Sequence, residues 1–305
     1  MGTTEKRILI SGASGLIGTR LAHRLRAAGL EVRTLVRRES RNDTEWRWHP
    51  DRHEVPSAAI EWADVVIGLS GASLSRLPWT TSYRQKILDS RLDTTSTLAN
   101  AIRNAANPPD AWVNASAVGY YGDRPGEQLT EASEAGSGFL SDVVRQWEAA
   151  TEPARGSTRV VFARTGLVLA KEGALKPLII ATRLGAGAAI GPGTQHWPWI
   201  ALEDEAAALA HLALDSELSG PVNLASPQSA TSEQVTRALA AELKRPHLFR
   251  LPAWLLKLAM GSAAEELLLA DQQAVPERLE ADGFAFRRPS LEGALQAELG
   301  SSDPE

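Results

Sequence analysis

Three glycines at three-residue intervals, in ISGASGLIG, form the first arrangement in this chain that can do chemistry. Gly12-Ala13-Ser14-Gly15-Leu16-Ile17-Gly18 stands between an apolar run, Ile8 to Ile10, and an amphipathic stretch carrying Ile17, Leu21, Leu25 and Ala28. Gly12 permits a tight turn, Gly15 lets the backbone approach a pyrophosphate at the positive end of a helix, and Gly18 lets helix and strand pack closely. That chemistry is dinucleotide binding. The end of the next apolar run, EVRTLVRR, selects the dinucleotide. An acidic residue there would accept from ribose hydroxyls, but this chain has Arg37 and Arg38, and Glu39 comes too late. Two guanidinium groups suit a 2′-phosphate, which they bind through charge-assisted forks. The expected cofactor is therefore NADP(H), held by residues 12–18, Arg37, Arg38, Leu69-Ser70-Gly71 and Arg164.

A second set of groups falls further along. Ser116 closes the apolar run AWVNASA, where an open parallel sheet presents its ligands, and its hydroxyl could polarise a substrate carbonyl or simply cap a loop. Tyr120 and Tyr121 follow, and one of two adjacent side chains should face the cleft while the other packs. Either is a candidate proton donor if a cation such as Arg91 or Arg164 lies near. Trp79, Arg91, Trp197 and Trp199 are candidates for a substrate pocket, with core anchoring as the alternative for the tryptophans. His196 is a lone loop histidine, and Asp123, Glu131 and Glu134 read as loop acids near a helix start. His49 and His53 are four apart, but Pro50 spoils helical geometry and no third ligand is evident, so no metal is expected.

These residues need a scaffold, and the periodicity describes one. Apolar runs at 8–10, 32–36, 64–71, 111–117 and 159–170 alternate with helical patterns, the longest over roughly 83–106. Strands alternating with helices require right-handed crossovers and an α/β, doubly wound parallel sheet. Beyond about residue 170 the rhythm changes. RLGAGAAIGPGTQHWPW reads as ordered loop over a cleft, followed by a helix, the strand GPVNLAS, a helix capped by Thr231 or Ser232, and a mostly helical C-terminal stretch. The expected organisation is a dinucleotide-binding domain over 1–225, with 166–200 looping over the cleft, and a smaller substrate-side lobe over 226–305 that ends in a frayed SSDPE.

Composition narrows the functional classes. The net charge of −5 and the absence of a basic, aromatic-interleaved stripe argue against nucleic acid and an anionic membrane surface. No apolar run approaches the ~20 residues of a membrane span. The opening Met1-Gly2 carries Lys6 where a myristoylation motif needs Ser or Thr, and no signal-peptide pattern follows. With no cysteine there is no thiolate metal site or catalytic thiol, which fits a reducing, cytoplasmic setting. The expected partner is a small-molecule substrate, with a homodimer contact conceivable through the helices near 83–106 and 138–151.

The pieces ISGASGLIG, SRLDTT, SAVGYYGD, WEAA, RTGLVLA, PWIALEDEA, GPVNLASP and VPERLEADGFAFR run nearly end to end. In them the chain resembles an atypical extended short-chain dehydrogenase/reductase, in the epimerase-like group labelled nucleoside-diphosphate-sugar epimerase of the SulA type, with its C-terminal module. The resemblance implies a Rossmann fold and NADP binding. It also exposes departures. Ala201 stands where the group has His in PWI-x-x-x-D, and Arg91 stands four residues before Thr95 where extended relatives have Asn. The Tyr-x-x-x-Lys pair that moves a proton in such enzymes is absent from SGFLSDVVRQWEAA. The pairs at that spacing are Gly138/Asp142, Phe139/Val143 and Leu140/Val144, and none of Tyr83, Tyr120 and Tyr121 has Lys four residues on. Two expectations follow. One is an NADP(H)-dependent oxidoreductase or epimerase-like enzyme for a small polar or carbonyl-bearing metabolite, working through Ser116 with Tyr120 or Tyr121. The other is a non-catalytic NADP(H)-binding protein with a redox-sensing or regulatory role.

Overall fold

A computed structural model describes residues 6–300; the readings at Met1-Gly2 and SSDPE lie outside the described residues. Seven strands, β1 (Arg7–Ser11), β2 (Glu31–Val36), β3 (Glu45–Arg47), β4 (Val65–Gly68), β5 (Ala111–Ala117), β6 (Arg159–Thr165) and β7 (Gly220–Leu224), form one sheet in the order β7-β6-β5-β4-β1-β2-β3. Every pairing is parallel. The alternation of side chains along β1 explains the layering. Ile8 and Ile10 enter the core under α1 (Leu16–Ala27) and the helix Leu202–Leu214, while Leu9 enters the core on the opposite face with Leu98, Ile102 and Trp112. Both faces are covered, so the strands read as continuous apolar runs. Strand order reverses between β1 and β4, which opens a crevice at their C-terminal ends.

The helix expected near 83–106 spans Thr81–Asn104; Thr80 caps it by accepting from the Tyr83 backbone N–H at 3.2 Å. Together with Phe139–Ala149 it was the suggested place for a dimer contact. The outward residues of this pair include Gln85, Lys86, Asp89, Asp142 and Arg145, all exposed and polar.

The region after residue 165 is more regular than its glycines suggested. RVVFARTGLVLA breaks into β6 and a short strand Leu167–Leu169 at Gly166, where an added Cβ would lie 2.4 Å from the Pro198 carbonyl oxygen. Segment 166–200, expected to be loop, holds the helix Lys176–Arg183 and the strands Gly187–Ile190 and Trp199–Ala201. Gly187–Ile190 pairs with His247–Leu251, and an added Cβ at Gly187 would meet the Pro246 carbonyl oxygen at 2.6 Å. The glycines there serve close backbone approach. Of the two proposed caps, Thr231 is the one used, in a capping box with Gln234.

Candidate active site at the C-terminal edge of the sheet

The glycine loop leaves β1 through Gly12, whose φ is +75°. An added Cβ at Gly12 would lie 2.7 Å from the Leu69 carbonyl carbon, and one at Gly18 would lie 2.3 Å from the Gly12 carbonyl oxygen. These two glycines are required by packing. Gly15 differs: its added Cβ would meet only the Gly12 carbonyl oxygen, at 3.4 Å, and Gly15 and Ser14 are exposed. Gly15 also precedes α1, which has no side-chain cap and no acidic residue in its first turn. The loop therefore offers open space, free N–H groups and the positive end of a helix, the conditions an anion needs. Ala13, Leu16 and Ile17 are half-buried in the loop and the helix start.

The two arginines after β2 are not equivalent. Arg38 is forked onto the Glu45 carboxylate at 2.7 and 2.6 Å. Arg37 is exposed and makes no ion pair among the described residues, so it is the guanidinium available to an incoming group. Across the loop, Leu69 donates its backbone N–H to Ser11, and Gly71 packs against Arg91. The Arg91 guanidinium is buried, donates to the carbonyls of Ala72 and Ile87, and lies 4.9 Å from the Trp147 ring. Burial pushes its pKa down to about 10. Arg91 thus holds the segment after β4 in place.

At the end of β5, Ser116 is buried and donates to Glu148 Oε1 at 2.6 Å. Arg164 grips the same carboxylate with two bonds of 2.8 and 2.9 Å. Its third arm donates to the Tyr121 hydroxyl at 3.1 Å, and Tyr121 in turn donates to Asn223 Oδ1 at 2.7 Å. The Arg164 guanidinium also stacks 3.5 Å from the Tyr120 ring centroid. Burial opposes the Arg164 charge, but the hydrogen bonds and charge of Glu148 more than offset it and raise its pKa.

Both tyrosines proposed as proton donors lie against this cluster. Tyr121 is fully buried and its hydroxyl is engaged on both sides. Burial raises the phenol above its ordinary value, with Arg164 only partly opposing. Tyr120 is half-buried with its ring on Arg164. Arg164 itself faces Glu148 and the tyrosines, so its charge is spent there.

A cavity of about 300 Å³ is lined by Gly119, Gly122, Ser137, Leu140, Lys257 and Glu266 among others. None of Trp79, Arg91, Trp197 and Trp199 lines it. Trp79 packs edge-on against Phe139 and donates to the Leu74 carbonyl; Trp197 donates to the Leu268 carbonyl; Trp199 is buried in a core that joins residues 169–201 with 230–295. All three are buried core residues. His196 is held by Asp271 at 2.9 Å.

Two carboxylates went unremarked in the sequence. Leu140 and Val144 occupy one stripe of the helix Phe139–Ala149, and the next turn of that stripe is Glu148. Glu266 reaches across 126 residues to accept from the Phe139 and Leu140 backbone N–H groups at 2.9 and 2.6 Å. It caps a helix whose own preceding residue, Gly138, has no side chain. Glu266→Ala should lower stability by about 1–2 kcal/mol in urea unfolding; an unchanged midpoint would mean water replaces the cap without cost.

The profile of the NAD dependent epimerase/dehydratase family matches residues 8–225. The chain belongs to that family. Residues 251–298 match a second profile, a domain of unknown function, DUF1731, which covers the helices that contribute Lys257 and Glu266 to the cavity. Among family relatives, an epimerase family protein of Mycobacterium leprae is 40% identical over 290 residues, covering 94% of each chain. The human epimerase family protein SDR39U1 is 33% identical over 294 residues, covering 95% of this chain and 98% of that one. A crystal structure of human SDR39U1 with NADPH superposes with a TM-score of 0.89 at 32% identity, over 97% of this chain and 100% of that one. A nucleoside-diphosphate sugar epimerase from Corynebacterium glutamicum gives 0.81 at 33% identity, over 97% of this chain and 59% of that one.

Proposed function

We propose that this family member is an NADP(H)-dependent oxidoreductase or epimerase-like enzyme for a small polar or carbonyl-bearing metabolite, with Ser116 and Glu148 in place of the usual Tyr-x-x-x-Lys pair. The bond from Ser116 to Glu148, 2.6 Å long at the end of a central strand, carries the reading. The cofactor site is supported by the open space over Gly15, the unpaired Arg37 and the NADPH in the crystal structure of human SDR39U1. When bound, a nicotinamide dinucleotide supplies or accepts hydride.

Ser116 then handles the proton. Its own hydrogen is directed at Glu148, which leaves its oxygen lone pairs to receive a substrate hydroxyl. On oxidation of a substrate alcohol, the hydroxyl proton would pass to Ser116 Oγ and the Ser116 proton to Glu148 Oε1. The reverse sequence protonates a carbonyl oxygen. Arg164 keeps the Glu148 carboxylate in position throughout.

The second reading, a non-catalytic NADP(H)-binding protein, is favoured by Leu140 and Val144 on the helix stripe and by the strong hold of Arg164 on Glu148. Titration with NADPH and NADH comes first. NADPH should bind at least tenfold more tightly, and Arg37→Ala should erase most of that margin while Arg38→Ala erases less. Following NADPH at 340 nm against aldehydes, ketones and nucleotide sugars, with a product assay for redox-neutral epimerisation, then separates the readings. Turnover lost in both Ser116→Ala and Glu148→Gln, with NADPH affinity kept, supports the relay. Tight NADPH binding without turnover or epimerisation of any compound supports the second reading.

A further inference from the structure

Eight large apolar side chains are exposed among the described residues, and seven of them lie on one lobe. Ile180 and Leu184 come from the helix Lys176–Arg183 and its end, Leu248 and Phe249 from the strand His247–Leu251, and Trp254, Leu255 and Leu258 from the helix Ala253–Met260. The three elements are neighbours. The strand pairs with Gly187–Ile190, which follows the first helix, and the second helix begins two residues after the strand. Their inward residues Ile179, Leu251 and Leu256 share one core. The outward ones do not turn inward: Leu184 is 81% exposed, Leu248 and Leu258 77%, and Trp254 67%.

Five of the seven, Leu184, Leu248, Phe249, Trp254 and Leu258, are more than half exposed, a concentration of apolar surface of the kind that marks an interaction site. The charge around them is one-sided. Residues 176–190 and 244–260 contain six Lys and Arg and no Asp or Glu, in a chain whose net charge is −5. Arg250 is paired with Glu233 and Lys257 with Glu265. Lys176, Arg183, Lys244 and Arg245 are exposed and make no ion pair among the described residues.

We propose that this face docks on an anionic lipid surface. Trp, Phe and Leu flanked by Lys and Arg suit the boundary between acyl chains and headgroups, to a depth of about 5–10 Å. No helix among the described residues is long and apolar enough to cross a membrane, so the contact is at the surface. A second copy of the chain is a poorer occupant, because a two-fold contact brings the same cation-rich patch together from both copies. The whole-chain charge that argued against an anionic surface averages over this concentration. Lys257 on the docking helix also lines the 300 Å³ cavity, so the docked face and the cavity share an element.

The test is flotation of the full chain with vesicles of phosphatidylcholine alone and with phosphatidylglycerol added. Binding is expected to the anionic vesicles only, weakened by salt. Lys244→Gln with Arg245→Gln should reduce it about fivefold per charge, and Trp254→Ser with Leu258→Ser by tenfold or more. Because these side chains are exposed, thermal unfolding should be unchanged in every variant, which separates lost docking from lost fold. Three results overturn the proposal: no flotation with either vesicle, flotation indifferent to these substitutions, or a dimer by light scattering that Trp254→Ser with Leu258→Ser dissociates.

Discussion

Replacing Arg164 with methionine is expected to cost about 3–5 kcal/mol in urea unfolding, the range for a buried pair that loses one partner. Arg164 is 3% exposed and Glu148 11%, so the carboxylate left behind has little access to solvent. The same change takes a donor from the Tyr121 hydroxyl and the cation from the Tyr120 ring. Arg164→Met with Glu148→Met should recover most of the loss, since a well-packed apolar pair can replace a buried ion pair. That recovery, measured as a double-mutant cycle, reports the coupling directly. A single-variant loss below about 1 kcal/mol, as for a surface pair, would mean that water reaches Glu148. It would also remove the fixed geometry on which a Ser116 to Glu148 relay depends.

The scaffold and the phosphate loop were legible because their signals are local. Ile8, Leu9 and Ile10 sit on a strand buried on both faces, and Gly12 and Gly18 answer to contacts within the same turn or the adjoining strand. The sheet edge at Ser116 was less legible because its bonds span long separations. Ser116 and Glu148 are 32 residues apart, and Tyr121 and Asn223 are 102 apart. Nothing in SAVGYYGD says that Tyr121 points at β7 and not into the cleft. The tryptophans near glycines looked like pocket walls, yet Trp197 and Trp199 are claimed by the core that joins residues 169–201 with 230–295. That core could not be foreseen while 166–200 read as loop, since six of its fifteen buried residues come from that segment. Glycine count signals turns and close backbone approach alike, and only the pairing partner, here His247–Leu251, tells them apart.

Glu205→Gln is expected to stabilise the protein, and by an amount that grows with pH. Glu205 lies in the first turn of the helix Leu202–Leu214 with no exposure at all, accepts from the Thr165 hydroxyl at 2.8 Å, and leaves Oε2 without a hydrogen-bond partner. A helix N-terminus favours the carboxylate, and so does the Thr165 bond, but burial outweighs both and pushes the carboxyl up to about 8. The folded state therefore holds a proton that the unfolded chain releases near its ordinary value of ~4.3. By linkage, the contribution of this group to stability is full below that value and is lost as pH rises towards about 8. Glutamine does not titrate. The stability gained by Glu205→Gln should be small at pH 5 and reach on the order of 3–5 kcal/mol by pH 9. Urea unfolding of both proteins at several pH values measures it. A gain that is flat with pH would show that Glu205 ionises at its ordinary value, with water or a cation beside Oε2.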